Sequence, residues 1–186
     1  MPITERVELH DGAIRLAAQV SRPNAAGVHS AVIVAPGGTQ QGEVLAYDWI
    51  ASRLADAGYV VLTITYRAKQ AVDDPEDVVL GLDWLARQPD VAAQRCGIFG
   101  HSRGGLTALR AAAHDPRIRS VVSFAAPTDI GSYVQSVAAF APSRHQQIVE
   151  WMGGAPEEVP ERYAILRGLS CADRIRQPVL LRSRDP

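Results

Sequence analysis

The chain has 186 residues, 47% of them hydrophobic, a formal net charge of −1 and a pI near 6.5, which allow one sizeable core in a single domain without a linker. That charge supplies no basic field for phosphates, and no Lys/Arg cluster is interleaved with aromatics, so nucleic acid is not an expected partner. No segment reaches the roughly 18 apolar residues of a membrane-spanning helix, and the start lacks a basic stretch followed by an apolar run, so no membrane association and a cytoplasmic location are expected.

Arg6 to His10 and Ile14 to Val20 read as strands joined by Asp11-Gly12, a strong hairpin signal. The later strands, Ala31 to Ala35, Val60 to Ile64, Gly97 to Phe99, Val121 to Phe124 and Val179 to Leu181, are nearly continuous apolar runs. Such runs suit central parallel strands covered on both faces. Segments of helical period alternate with them. The first carries Ala46, Trp49, Ile50 and Leu54 on one face and ends at Ala57-Gly58. The second has Asp74 as a cap, Pro75 at the first helical position and a Val78, Leu82, Leu85 stripe. The third opens with Gly104-Gly105. This order predicts an α/β fold with a mostly parallel sheet and helices on both faces. After Phe124 a long interval precedes the next strand. It includes a helix started by Ser143 and Gln146 as a capping box and ended by Gly153-Gly154, and the segment from Asp129 to Ile175 reads as a cap over the C-terminal edge of the sheet.

The chemistry concentrates at Gly100-His101-Ser102-Arg103-Gly104, a G-x-S-x-G pattern with a strand running in and a glycine-rich helix running out. Glycines around a sharp bend leave the Ser102 hydroxyl exposed above the sheet, as a serine nucleophile requires. The helix start adds backbone N–H groups and a positive dipole end. Acyl transfer needs two donors at the developing oxyanion. Arg103 N–H is one candidate; the other comes from the Pro36-Gly37-Gly38-Thr39 turn, with Gly38 as first choice and Thr39 as alternate. The two cysteines, Cys96 and Cys171, form neither a disulfide framework nor a CxxC pair and are given no redox role. No metal site or cofactor is expected.

GHSRGG, PGG after a strand, and Tyr66-Arg67 closing another strand together resemble the α/β-hydrolase superfamily. Ala126-Pro127-Thr128-Asp129, Pro160 to Tyr163 and Ile175 to Leu181 are similar to the prolyl oligopeptidase and dienelactone hydrolase branches. The resemblance implies an α/β-hydrolase fold lacking its last strand and helix, with Asp185 as the counterpart of the family acid and Asp129 as alternate. No histidine follows at the family's position. His145, in the cap, is the one histidine placed to approach the top face as a substitute base, whereas His101 adjoins Ser102 and is expected to pack. The chain therefore reads as a truncated or frameshifted serine hydrolase. Its expected substrate is a small-molecule carboxylic ester or amide, and its expected activity is weak for want of an imidazole. The rival readings are a peptidase of prolyl oligopeptidase type and a non-catalytic binding protein on the same fold. An uncovered Val179 to Leu181 edge further predicts a homo-oligomer.

Overall fold

The computed structural model describes residues 2–38, 44–67 and 71–183. Thr39 and Asp185, two of the candidate site residues, lie outside the described residues.

The Asp11-Gly12 hairpin forms as its sequence requires. Strands β1 (Ile3–Asp11) and β2 (Ile14–Arg22) pair antiparallel with Leu9 opposite Leu16, and Gly12 takes φ 56° at the turn. Strands β3 (His29–Ala35), β4 (Val60–Ile64), β5 (Val91–His101), β6 (Ile118–Phe124) and β7 (Val179–Arg182) complete a sheet of order β1-β2-β4-β3-β5-β6-β7. β2 joins β4 antiparallel, and every pairing from β4 to β7 is parallel. The apolar runs occupy the middle, where all five residues of β4 are buried. β5 begins earlier than its apolar run, because polar Gln94 and Arg95 extend it and the pairing with β3 and β6 shifts register near Cys96.

Helices cover both faces. On one, α2 (Asp74–Ala86) and α3 (Arg103–His114) bury Val78, Leu82, Leu85, Ala108 and Ala112 against Ile33, Leu62, Ile64, Ile98 and Val121. On the other, α1 (Asp48–Asp56) sets Ala51 and Ala55 on Val34 and Val61. Trp49 departs from the expected stripe: steps of about 100° per residue that aim Ala51 and Ala55 at the sheet swing it out, and it is 63% exposed.

The interval after β6 folds into α4 (Ile130–Val137), α5 (Pro142–Met152), α6 (Pro160–Ile165) and a 3₁₀ segment over Gly168–Arg174. Their apolar sides, among them Ile130, Val134, Ile148, Trp151 and Leu166, make a second buried cluster that includes Leu106 of α3. Ser143 does not cap α5. Pro142 takes the first turn after Ala141, no side chain caps that end, and Gly153 closes the other in the left-handed conformation. β7 is the sheet's edge, with Val179, Leu180 and Leu181 at 38%, 59% and 61% exposed.

Candidate active site

Ser102 sits where β5 ends and α3 begins, with φ 55° and ψ −119°, a left-handed backbone that side-chain-bearing residues avoid. Its N–H donates to the Phe124 carbonyl at 2.9 Å, and its carbonyl accepts from Gly105 N–H at 2.9 Å, so the turn is tied to β6 and to its own helix. The glycines of the motif are there because nothing larger fits. A Cβ on Gly100 would overlap the Gly104 carbonyl, one on Gly104 would overlap the Ala35 carbonyl, and one on Gly105 would lie 2.6 Å from the Ala126 methyl.

The Pro36-Gly37-Gly38 turn closes directly against this bend. A Cβ on Gly37 would stand 3.0 Å from Cβ of Ser102 and 2.9 Å from the His101 carbonyl oxygen. The turn after β3 and the candidate nucleophile thus share one small space at the C-terminal edge of the sheet. Gly38 has φ 103°, and among the described residues its N–H donates to nothing. Arg103 is the first residue of α3, so its backbone N–H belongs to the helix's first turn.

Three further side chains fix this geometry, and the sequence reading assigned none of them to the site. Tyr47 Oη accepts from Gly37 N–H at 2.7 Å and lies 2.8 Å from His101 Nδ1. Burial pushes the Tyr47 phenol above its ordinary pKa, with Gly37 N–H opposing, so it stays neutral and can donate to Nδ1 of an imidazole protonated on Nε2. The His101 ring lies 5.7 Å from that of Phe124. Tyr66, fully buried, donates to the Pro36 carbonyl at 2.8 Å and holds the other side of the same turn. Asp74 is the third. It is 1% exposed and takes a two-pronged bond from Arg103, Nε at 2.7 Å and Nη2 at 2.5 Å, while Thr107 donates to it at 3.0 Å. Asp74 therefore does not cap α2; Asp73 precedes the helix without a side-chain bond, and the Asp74 carboxylate turns inward because the buried Arg103 needs its charge. Burial pushes the Asp74 carboxyl up, and the Arg103 guanidinium pulls the other way.

The remaining candidates make contacts of their own. Asp129 caps α4, accepting from Ser132 N–H at 3.1 Å, and its second oxygen accepts from Arg167 Nε at 2.9 Å. The Ser132 N–H and the Arg167 guanidinium hold its carboxyl below the usual range. His145 is half-buried on α5, and its ring makes no hydrogen bond or ion pair among the described residues. No imidazole hydrogen-bonds the Ser102 hydroxyl among the described residues, and no group of three His, Cys, Asp or Glu is placed there to hold a metal ion. No described helix is long and apolar enough to cross a membrane.

A strained serine between a parallel strand and a helix, roofed by a glycine turn, defines the class: an α/β-hydrolase fold. Its structural likeness includes the esterase of Pyrobaculum calidifontis, with TM-score 0.77 at 20% identity over 96% of this chain and 65% of that one. More narrowly, residues 17–140 match the model of the PET hydrolase-like family, and the chain belongs to that family. It is 33% identical to a bis(hydroxyethyl) terephthalate hydrolase of Streptomyces coelicolor over 104 residues, 52% of this chain and 32% of that protein. It is 30% identical to the uncharacterized peptidase YtmA of Bacillus subtilis over 139 residues, 69% of this chain and 52% of that protein. The chain thus spans from about a third to about half of these relatives' lengths.

Proposed function

We propose that the chain hydrolyses carboxylic esters through Ser102. Its hydroxyl oxygen attacks the acyl carbon, and the carbonyl oxygen becomes an oxyanion held by the Arg103 and Gly38 backbone N–H groups. The bond to the alcohol then breaks, the proton lost by the Ser102 hydroxyl passes through solvent water to the departing alkoxide, and a second water adds to the acyl-enzyme to release the acid and restore the serine hydroxyl. The observation that carries this reading is the abutment of the Gly37-Gly38 turn on the strained Ser102, 3.0 Å from a Gly37 Cβ position to the serine Cβ. In that arrangement two loops from different strands can share one oxyanion. A hydrolase family and a relative named for hydrolysis of a terephthalate ester support the ester class. We read the chain as one domain, with 129–175 as a cap that shapes the acyl pocket.

The Ser102 proton has no imidazole acceptor among the described residues, so turnover in this chain is expected to be slow. A site with an oxyanion hole and binding but an incomplete triad retains about 10³ to 10⁴ of rate enhancement over water. That same observation favours a second reading, a binding protein on a hydrolase fold. Hydrolysis of p-nitrophenyl acetate by this chain and by Ser102→Ala separates the two: a rate that falls to background in the variant supports catalysis, and equal rates refute it.

A further inference from the structure

Arg103 does more than lend a backbone N–H. Its guanidinium lies over the Tyr66 ring at 4.3 Å and over the Trp151 ring at 5.1 Å while Asp74 holds its edge, and it is 3% exposed. Tyr66 belongs to the loop after β4 and holds Pro36, and Asp74 opens α2. Trp151 belongs to α5, in the segment read above as the cap. One cation therefore joins the glycine turn, the Ser102 bend and the cap.

Trp151 is 7% exposed, and its Nε1–H finds no acceptor among the described residues. A buried indole normally anchors through that N–H. Here its polar attraction to the rest of the protein is the ring face turned to Arg103, beside apolar packing in the cluster of Leu106, Ile148 and Met152. A cation held between aromatic faces in a dry setting is attracted to both, and the planar fork cannot move without losing Asp74 as well.

Resting on the reading of Ser102 as nucleophile, we infer that Trp151 is a positioning residue for the Ser102 bend, acting through the Arg103 side chain, so that seating of the cap and alignment of the Arg103 N–H are coupled. The cap segment and the bend then tighten or loosen together. A substrate large enough to lift α5 would disturb the donor that stabilises its own oxyanion, which favours short acyl groups.

Hydrogen exchange and ester kinetics on the full chain test this. Trp151→Leu keeps an apolar side chain in the cap cluster but offers no ring. It is expected to raise exchange about tenfold in peptides covering α5 and residues 100–106, leaving β3 and β4 unchanged. Trp151→Phe restores a ring face and should stay within about twofold of wild type. Arg103→Lys keeps a charge for Asp74 but loses the fork and the planar stack, and should reproduce the Trp151→Leu pattern at residues 100–106 even where Trp151→Leu folds poorly. On p-nitrophenyl acetate, kcat should fall about tenfold in Trp151→Leu with KM within about twofold, since the oxyanion contact belongs to the transition state. If α5 loosens while residues 100–106 do not, or neither responds, the coupling is refuted. Exchange decides the coupling even if Ser102→Ala hydrolyses ester as fast as wild type, a result that overturns only the nucleophile.

Discussion

Two neighbouring turns carry the same strain to different ends. Ser102 closes β5 at φ 55° and Ala125 closes β6 at φ 50°, the only residues other than glycine with positive φ among those described. Each N–H bonds the next strand out, Ser102 to Phe124 at 2.9 Å and Ala125 to Arg182 at 2.7 Å. Twist and pairing at the end of a parallel sheet thus suffice to impose the conformation. What distinguishes the first turn is its surroundings: glycines at 100, 104 and 105 pack it against β3 and β6, a helix starts at once, and a glycine turn faces it. The second leads through Ala126 and Pro127 to α4 and carries only a methyl. Strain marks where a reactive side chain can stand; donors around it decide whether chemistry follows.

That contrast can be broken most forcefully at Gly104. Gly104→Ala drives a methyl into the Ala35 carbonyl, which backbone cannot yield, so a loss above about 4 kcal/mol is expected and denaturant titration should find little folded protein. Asp74→Ala comes next. Removing the buried carboxylate that takes the two-pronged bond from Arg103 should cost about 3–5 kcal/mol by the same titration, whereas an equivalent change at a solvated pair would be nearly silent.

Asp129→Ala tests the start of the helices that follow β6 and should cost about 1 kcal/mol through loss of the α4 N-cap bond. Because the Asp129 carboxyl is held below its unfolded value of 3.8, that contribution is present above this pH and disappears as pH falls through the lowered folded value. The wild-type advantage over Asp129→Ala should therefore shrink as pH falls from about 5 through the lowered folded value, and ester hydrolysis near neutrality should be unchanged. The smallest effect belongs to the second strained turn. Ala125→Gly relieves a left-handed alanine worth about 1–2 kcal/mol but adds freedom to the unfolded chain, for a net gain of about 0.5 kcal/mol in thermal denaturation.

Much of the fold was legible because its signals are local. Asp11-Gly12 forces a hairpin, five apolar runs become the inner strands and β7, and G-x-S-x-G between a strand and a helix places Ser102. The partners that hold the site were not, because burial and distant contact leave no periodic trace. Asp74 before Pro75 looks like a helix cap, and its inward turn is set by an arginine 29 positions away. A signal was present: an arginine inside the nucleophile motif, at a position destined for burial, demands a carboxylate. Tyr47 and Trp151 gave no such hint, since an aromatic at helical spacing reads as ordinary core. Trp49 shows the converse, an apolar residue on the expected stripe that the first helix turns to solvent.

The most direct test of Ser102 as the nucleophile is mapping of a p-nitrophenyl phosphonate adduct by peptide mass spectrometry. A single phosphonylated site at Ser102, absent from Ser102→Ala and formed in proportion to loss of p-nitrophenyl acetate hydrolysis, is the predicted result. Hydrolysis that persists with Ser102 unmodified, or an adduct confined to another residue, would contradict it.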